Sequence, residues 1–159
     1  MSEKAADSLP VIRDVYPYLC VHDAAAALDF YTRVFGAEEV MRLTDQQGRV
    51  AHAELRLGPA LLMLVDEHPE YGIRGPLTFG GTGTTIHLHV DDVDTLTDRA
   101  RTAGATVLRE PTDYGHGERQ SRVRDPFGHE WLLGHGLEAV TPEEIKPRFE
   151  TEQQERVGS

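Results

Sequence analysis

The chain carries one structural pattern twice, with the second copy about 69 residues after the first. Each copy starts with a short alternating segment, at 18–21 and at 87–90. An aspartate suited to cap a helix follows each segment, Asp23 in the first copy and Asp92 in the second. Each helix-like run then ends at a Gly-Ala pair, where glycine accepts the left-handed backbone that closes a helix. Internal repetition constrains architecture more than any single residue does, and two similar halves predict a cleft between them.

Composition limits the class of protein. A chain of 159 residues with 39% apolar content is long enough for one packed domain and short for two. It has no apolar run near the roughly 18 residues that span a bilayer, and its polar N-terminus lacks a secretory core. A single cysteine, Cys20, excludes a disulfide framework. The net charge of −11 disfavours binding to the phosphate backbone of nucleic acids. Together these features predict a cytoplasmic protein without nucleic-acid or membrane partners.

Hydrophobic periodicity predicts an α+β fold in which each copy reads strand, helix and three strands. We expect a flexible leader over 1–10, one domain over 11–140 with modules at 11–66 and 84–135, and a C-terminal helix and tail over 141–159. The final residues, 149–159, are polar enough to fray. The predicted strands are 15–21, 39–44, 49–57, 60–66, 84–90, 106–110, 120–124 and 129–134, and the predicted helices are 24–35, 93–103 and 142–149.

Several segments together resemble a known superfamily. They are Tyr18-Leu-Cys-Val-His-Asp, Leu28-Asp-Phe-Tyr31, Phe35-Gly-Ala37, His52-Ala-Glu-Leu55, Ala103-Gly-Ala105 and Asp125-Pro-Phe-Gly-His-Glu-Trp131. In this order and spacing they are similar to the glyoxalase / bleomycin-resistance / extradiol dioxygenase (vicinal oxygen chelate) superfamily, and more narrowly to its PhnB-like branch. The resemblance implies two βαβββ modules whose curved sheets surround a cup, often as a homodimer. Because that superfamily includes metal-dependent lyases, isomerases and dioxygenases as well as metal-free drug-binding proteins, it leaves the function open.

Side chains alternate across a strand, so each predicted strand has one aliphatic face and one polar face. The aliphatic faces seat the helices, and the polar faces then line the cup. The alternative is that individual histidines are hydrogen-bonded at strand ends or in a dimer interface and have no role in ligand binding. The predicted ligand-binding residues, with Tyr114 on a loop at the rim, are Tyr16, Tyr18, His52, Glu54, His87, His89, Tyr114 and Glu130.

Two histidine-bearing pairs, His87-Leu-His89 and His52-Ala-Glu54, could supply metal ligands from one strand face. The resemblance places the customary ligands elsewhere. Those positions carry Tyr16, Thr85, Leu132 and either Leu62 or Met63, and none of these is a credible ligand for a divalent ion. We therefore predict no metal and no cofactor, while a shifted site of His87 with His52 or Glu54 stays open.

These observations favour metal-independent binding of a small organic ligand, an antibiotic or aromatic metabolite, in the cup of a homodimer. The alternative is a glyoxalase-type lyase or isomerase that uses a shifted His/Glu metal site or an unassisted carboxylate. Glu54 and Glu130 are the weak catalytic candidates for that chemistry. A third hypothesis is that the cup is vestigial and that the dimer acts as an interaction module. Whether the protein is an enzyme stays open at the level of sequence.

Overall fold

The structure is a computed structural model that describes residues 9–158, and within them the chain forms two four-stranded sheets and four α-helices. A short 3-10 turn (Pro69–Tyr71) and the brief helix α2 (Pro76–Phe79) connect the modules. The first module contains β1 (Tyr18–Val21), α1 (Ala24–Phe35), β2 (Glu38–Thr44), β3 (Val50–Leu57) and β4 (Ala60–Asp66). The second contains β5 (Thr85–His89), α3 (Val93–Thr102), β6 (Thr106–Tyr114), β7 (Glu118–Arg124) and β8 (Glu130–Gly136), followed by α4 (Pro142–Val157).

The two sheets have the same topology. The strand orders are β1-β4-β3-β2 and β5-β8-β7-β6. In each sheet the first strand runs parallel to the last, and the remaining pairs are antiparallel. The predicted α+β class and the two βαβββ modules are confirmed.

The repeated aspartates begin the two main helices as predicted. Asp23 accepts a hydrogen bond from Ala26 N at 3.0 Å, and Asp92 accepts one from Thr95 N at 3.0 Å. Gly36 closes α1 with φ of 69°, a backbone conformation that glycine adopts without strain. Because the cap, the apolar period and the terminating glycine all agree, α1 has the predicted bounds.

One core joins the two modules. Tyr31 and Phe35 of α1 lie against Trp131 of β8, with ring centroids 5.3 and 4.7 Å apart, and Trp131 is fully buried. Arg99 of α3 donates to the carbonyl oxygen of Arg33 at 2.7 Å and links the two helices directly. The helix-facing sides of both sheets therefore share this core, and their opposite faces point outward. Within residues 9–158, no strand of one sheet is hydrogen-bonded to a strand of the other.

Several boundaries differ from prediction, and three of them lie near predicted site residues. Strand β1 begins at Tyr18 rather than Val15, which is 82% exposed in an irregular stretch. Strand β6 continues to Tyr114, so the predicted end at Glu110 is wrong and Tyr114 is a strand residue rather than a loop residue. Strand β7 begins at Glu118, two residues earlier than predicted. Residues 1–8 of the predicted leader lie outside the described residues.

Helix α4 is the largest departure, because it runs to Val157 where the sequence predicts a frayed tail after residue 149. Its start is as expected, with Thr141 and Glu144 forming a capping box. Two contacts hold its body to the β6–β7 hairpin region: Glu152 accepts from Gly115 N, and Arg148 donates to the Gly115 carbonyl. Among residues 9–158, the helices are too short or too polar to cross a bilayer.

Candidate functional site

A hydrogen-bonded chain of three side chains lies on the outward face of the first sheet. The Tyr18 hydroxyl lies 3.0 Å from His52 Nδ1, and His52 Nε2 lies 3.1 Å from Glu54 Oε1. His52 and Glu54 lie on the same face of β3 because side chains alternate along a strand. Tyr18 of β1 and Glu54 of β3 both pair with Met63 of the intervening strand β4, so they lie at the same level of the sheet. In the tautomer that carries its proton on Nε2, His52 donates to Glu54 and its Nδ1 accepts from the Tyr18 hydroxyl, so all three groups are linked in one direction.

The tyrosines of this face stay neutral phenols. Burial first, then Cys20, raises the pKa of Tyr18. Desolvation first, then the Asp14 and Glu54 carboxylates, raises the pKa of Tyr16. Tyr18 is 54% exposed and Tyr16 is 44% exposed, so both rings present surface to solvent. The arrangement can stack on a flat ligand and exchange hydrogen bonds through an oriented hydroxyl. We call Tyr16, Tyr18, His52 and Glu54 the tyrosine cluster.

A second cluster lies on the outward face of the second sheet. His87 and His89 project from the same side of β5, with ring centroids 4.7 Å apart. Glu118 from the start of β7 completes the group, with Oε1 3.3 Å from His89 Nε2. Their ligand atoms all lie within 4.8 Å of one another. Burial first, then His89, lowers the pKa of His87. We call His87, His89 and Glu118 the histidine cluster.

The residues predicted to share a metal site are therefore separated. His52 and Glu54 pair with Tyr18 on the first sheet, and His87 pairs with His89 and Glu118 on the second. The shifted site of His87 with His52 or Glu54 is not what the structure brings together. Sequence reasoning missed Glu118 because it started β7 at Gln120.

The superfamily's customary metal positions do not fit an ion here. Thr85 accepts a hydrogen bond from Arg122 Nη2 at 2.6 Å, and Arg122 Nε donates to Glu130 Oε1 at 3.1 Å. In register, Thr85 pairs with Glu130, and Leu132 pairs with His87. A threonine, an aliphatic side chain and a guanidinium do not make a divalent-cation site. Glu130, bound to Arg122, is also a poorly placed general base.

The predicted rim residue Tyr114 has a different setting. It is the last residue of β6 and lies parallel to the His116 ring, with centroids 5.6 Å apart. The guanidinium groups of Arg109 and Arg156 lie 5.1 and 5.8 Å from its ring centroid. Tyr114 thus contacts its own hairpin and helix α4.

A cleft of about 390 Å³ opens beside the histidine cluster. Its polar edge is His87 and His89, and its apolar wall contains Phe35, Leu57 and Leu96. The cleft lies between β5, the end of α1 and the β3–β4 turn, so both modules contribute to it. An organic molecule in the cleft would lie against both histidine residues.

The family model described as the Glyoxalase/Bleomycin resistance protein/Dioxygenase superfamily matches residues 12–133. The chain belongs to that superfamily. Among its relatives is an uncharacterised protein of Mycobacterium bovis, 44% identical over 133 residues that cover 82% of this chain and 88% of that protein. An uncharacterised protein of Mycobacterium tuberculosis is 44% identical over the same length, covering 82% of this chain and 78% of that protein.

Solved structures of other proteins share the fold. TioX from Micromonospora sp. ML1 is 29% identical, with a TM-score of 0.61 over 79% of this chain and 99% of TioX. The fosfomycin resistance protein FosX from Listeria monocytogenes is 18% identical, with a TM-score of 0.65 over 86% of this chain and 99% of FosX. The FosX likeness shows the fold alone.

Proposed function

We propose that this superfamily member binds a small organic ligand, an antibiotic or an aromatic metabolite, in a cup completed by a second copy of the chain. Binding would need no metal at the customary positions. The observation that carries the proposal is the Tyr18–His52–Glu54 chain, which puts an exposed ring and an oriented hydroxyl on an open sheet face. A few convergent polar groups beside aromatic surface are typical of small-molecule sites.

The charges around the tyrosine cluster favour a cationic ligand. Asp14 and Glu54 both act on Tyr16, so two carboxylates lie near its ring. The ring faces of Tyr16 and Tyr18 attract cations through their quadrupoles. The net charge of −11 adds a long-range attraction of the same sign. A flat ligand carrying an amine fits these properties best.

A second copy of the chain is part of the proposal because, within residues 9–158, no other element covers the outward sheet faces. Strand β2 is exposed along its whole length and lies at a sheet edge. The irregular stretch before β1 exposes Leu9, Val11, Ile12 and Val15 to at least 80%. Exposed apolar side chains gathered on one segment mark an interaction surface. A partner that covers this segment and the outward faces would complete the cup.

The dimer can be tested by light scattering during gel filtration. Ile12→Glu should shift the mass from two chains toward one, because it puts a carboxylate on the exposed apolar segment. Val157→Glu changes an equally exposed apolar residue on α4 and should leave the mass unchanged. A wild-type protein that elutes with the mass of one chain at all concentrations would overturn the dimer.

Ligand binding can be tested by a thermal-shift screen of cationic aromatic antibiotics that includes metal-free bleomycin. The best compound is then titrated calorimetrically in excess EDTA. Tyr18→Ala should weaken binding about tenfold, or roughly 1.4 kcal/mol. Phe149→Ala removes a ring of matched exposure (56% against 54%) on α4 and should change nothing. Loss of binding in EDTA, or full binding by Tyr18→Ala, would contradict the proposal.

A second candidate function, a metal-dependent lyase or isomerase, is favoured by the histidine cluster. Deuterium exchange beside a substrate carbonyl, seen only with metal-loaded protein and lost in His89→Ala, would support it. Exchange by metal-free protein would instead point to a carboxylate base such as Glu54. An absence of any thermal shift across the screen would favour the interaction module.

Placement in the PhnB-like branch and a role in antibiotic resistance belong to the same proposal. The branch rests on the run Tyr18-Leu-Cys-Val-His-Asp and on the turn at Asp125. The resistance role is proposed because the matching family description includes bleomycin resistance proteins. The cytoplasmic location stays a prediction from composition.

A further inference from the structure

We propose that the histidine cluster, His87, His89 and Glu118, binds one borderline divalent ion such as zinc on the outward face of the second sheet. This inference goes beyond ligand binding by the tyrosine cluster and does not rest on it. It concerns residues on other strands, and its test needs no organic ligand.

The spacing of the donor atoms suits a single ion. All three residues offer a ligand atom within 4.8 Å of the other two. The closest pair, His89 Nε2 and Glu118 Oε1, is 3.3 Å apart. Around a tetrahedral ion with bonds of about 2.1 Å, neighbouring donors are about 3.4 Å apart. Side-chain rotation alone can bring His87 into the same sphere, because its ring already lies beside that of His89.

A glycine in the intervening strand makes the cluster possible. Strand β8 lies between β5 and β7, so Glu118 must reach across it to meet the imidazoles. At the crossing point β8 carries Gly134, which pairs with His89 on one side and Gln120 on the other. A β-carbon at position 134 would lie 2.9 Å from His87 Nε2 and 3.3 Å from Glu118 Oε2. Any larger residue would occupy the space in which the donors meet.

Neighbouring polar groups orient the carboxylate. Gln120, which is 9% exposed, donates from Nε2 to Glu118 Oε2 at 2.7 Å. This bond leaves Oε1 directed at His89. His116 Nε2 lies 3.7 Å from Glu118 Oε2 and 3.2 Å from Gln120 Nε2, so it closes the far side of the group. Hydrogen-bonded supports of this kind hold metal ligands in position.

The donor chemistry selects the class of ion. Two imidazoles and one carboxylate suit zinc, nickel or ferrous iron, whereas magnesium and calcium prefer oxygen ligands throughout. Three protein ligands leave at least one coordination position open. The apolar cleft beside His87 and His89 gives a small molecule access to that position.

The site differs from the superfamily's customary one. His87 lies two residues beyond Thr85 on the same strand face, and Glu118 comes from β7 rather than from the last strand. The customary position at Thr85 is held by Arg122. The proposed ion site therefore lies two residues further along β5 than the position that Arg122 contacts.

The test uses full-length protein without a histidine tag, stripped with EDTA and titrated with zinc against a chromophoric chelator. We expect one equivalent per chain in the wild type and at least 100-fold weaker binding in His89→Ala. Gly134→Ala should weaken zinc binding at least tenfold while the protein stays folded, because the added methyl would crowd only the ends of the His87 and Glu118 side chains and would make an ordinary 3.6 Å contact with Gln120 Cγ. His22→Ala removes another exposed histidine and should bind zinc like the wild type.

Cobalt(II) gives a second readout, since its visible absorption reports coordination number and changes when a ligand is lost. Less than one equivalent of zinc in the wild type would overturn the proposal. So would equal affinity in the wild type, His89→Ala and Gly134→Ala, each confirmed as folded by its melting curve. Organic-ligand binding in EDTA is measured separately, so either proposal can fail while the other stands.

Discussion

The Tyr31 hydroxyl donates a 2.6 Å hydrogen bond to Asp125 Oδ2, and this buried bond joins helix α1 of the first module to the β7–β8 turn of the second. The same oxygen accepts from Trp131 Nε1 at 2.9 Å. The other oxygen, Oδ1, accepts from the backbone N–H groups of Phe127 and His129. One carboxylate thus satisfies four donors and fixes both the turn and the module interface.

Asp125→Asn should lower the free energy of unfolding by about 2–4 kcal/mol, because an amide NH2 would face donors that it cannot accept from. Tyr31→Phe removes a single donor and should cost about 1–2 kcal/mol. Urea unfolding followed by tryptophan fluorescence measures both. Equal losses in the two variants would mean that the carboxylate has no special role.

Alkaline stability should depend on Tyr31. Burial first, then Asp125, raises the pKa of Tyr31 well above its ordinary value. The unfolded chain releases the phenol proton near pH 10 while the folded protein keeps it, so stability falls as pH rises past about 10. Tyr31→Phe should show a shallower decline than the wild type in unfolding curves measured between about pH 9 and 11. Parallel curves would contradict this assignment.

Gly75 packs against the backbone of β1, and a side chain there should destabilise the protein. A β-carbon at position 75 would lie 2.7 Å from the carbonyl oxygen of Cys20. The backbone at Gly75 has φ of −102°, which alanine adopts freely, so only the clash is tested. Gly75→Ala should cost about 1–3 kcal/mol in urea unfolding. Gly83→Ala, with open space around it, is the control and should change stability little.

Cys20 should react slowly with alkylating reagents. Burial first, then Glu67 and Asp66, raises its pKa to about 11. Because the thiolate is the reactive form, the rate with iodoacetamide should rise about tenfold per pH unit up to about pH 10 without a plateau. The urea-unfolded chain should level off near pH 9, as an ordinary thiol does. A plateau in the folded protein at the same pH as in the unfolded chain would show an unperturbed thiol.

The sequence predicted the architecture because several local signals agreed at the same places. Asp23, the apolar period and Gly36 together gave α1 its bounds. The alternation of β3 correctly separated buried Ala53 and Leu55 from outward His52 and Glu54. Trp131 lies on the helix side of β8, where it is fully buried.

The end of β6 and the start of β7 were predicted wrongly for a physical reason. Pro111 cannot donate to a sheet ladder, so the sequence indicates that the strand stops before it. Strand β6 is the edge of its sheet, and an edge strand tolerates proline at an irregular step, here between Arg109 and Thr112. Ending β6 early hid the start of β7 and with it Glu118. Glu118 lies beside His87 and His89 because β8 separates β7 from β5 and carries Gly134 at the crossing point. The spacing of these residues along the chain does not predict that arrangement.

The length of helix α4 was likewise not predictable from local sequence. Its polar composition and the internal Pro147 both argue against a stable helix in isolation. Contacts with Gly115, which is distant in sequence, and with Glu138 hold it in place. Tertiary contacts of this kind are invisible to local propensity.

The aromatic core places Tyr31 and Phe35 of the first half against Phe127 and Trp131 of the second. Separated from its sibling, each half would leave large rings in water, and the Asp125 carboxylate would lose a donor from the other half. The duplicated chain should therefore melt in a single cooperative transition, and two fragments cut between residues 66 and 84 should gain structure only when mixed.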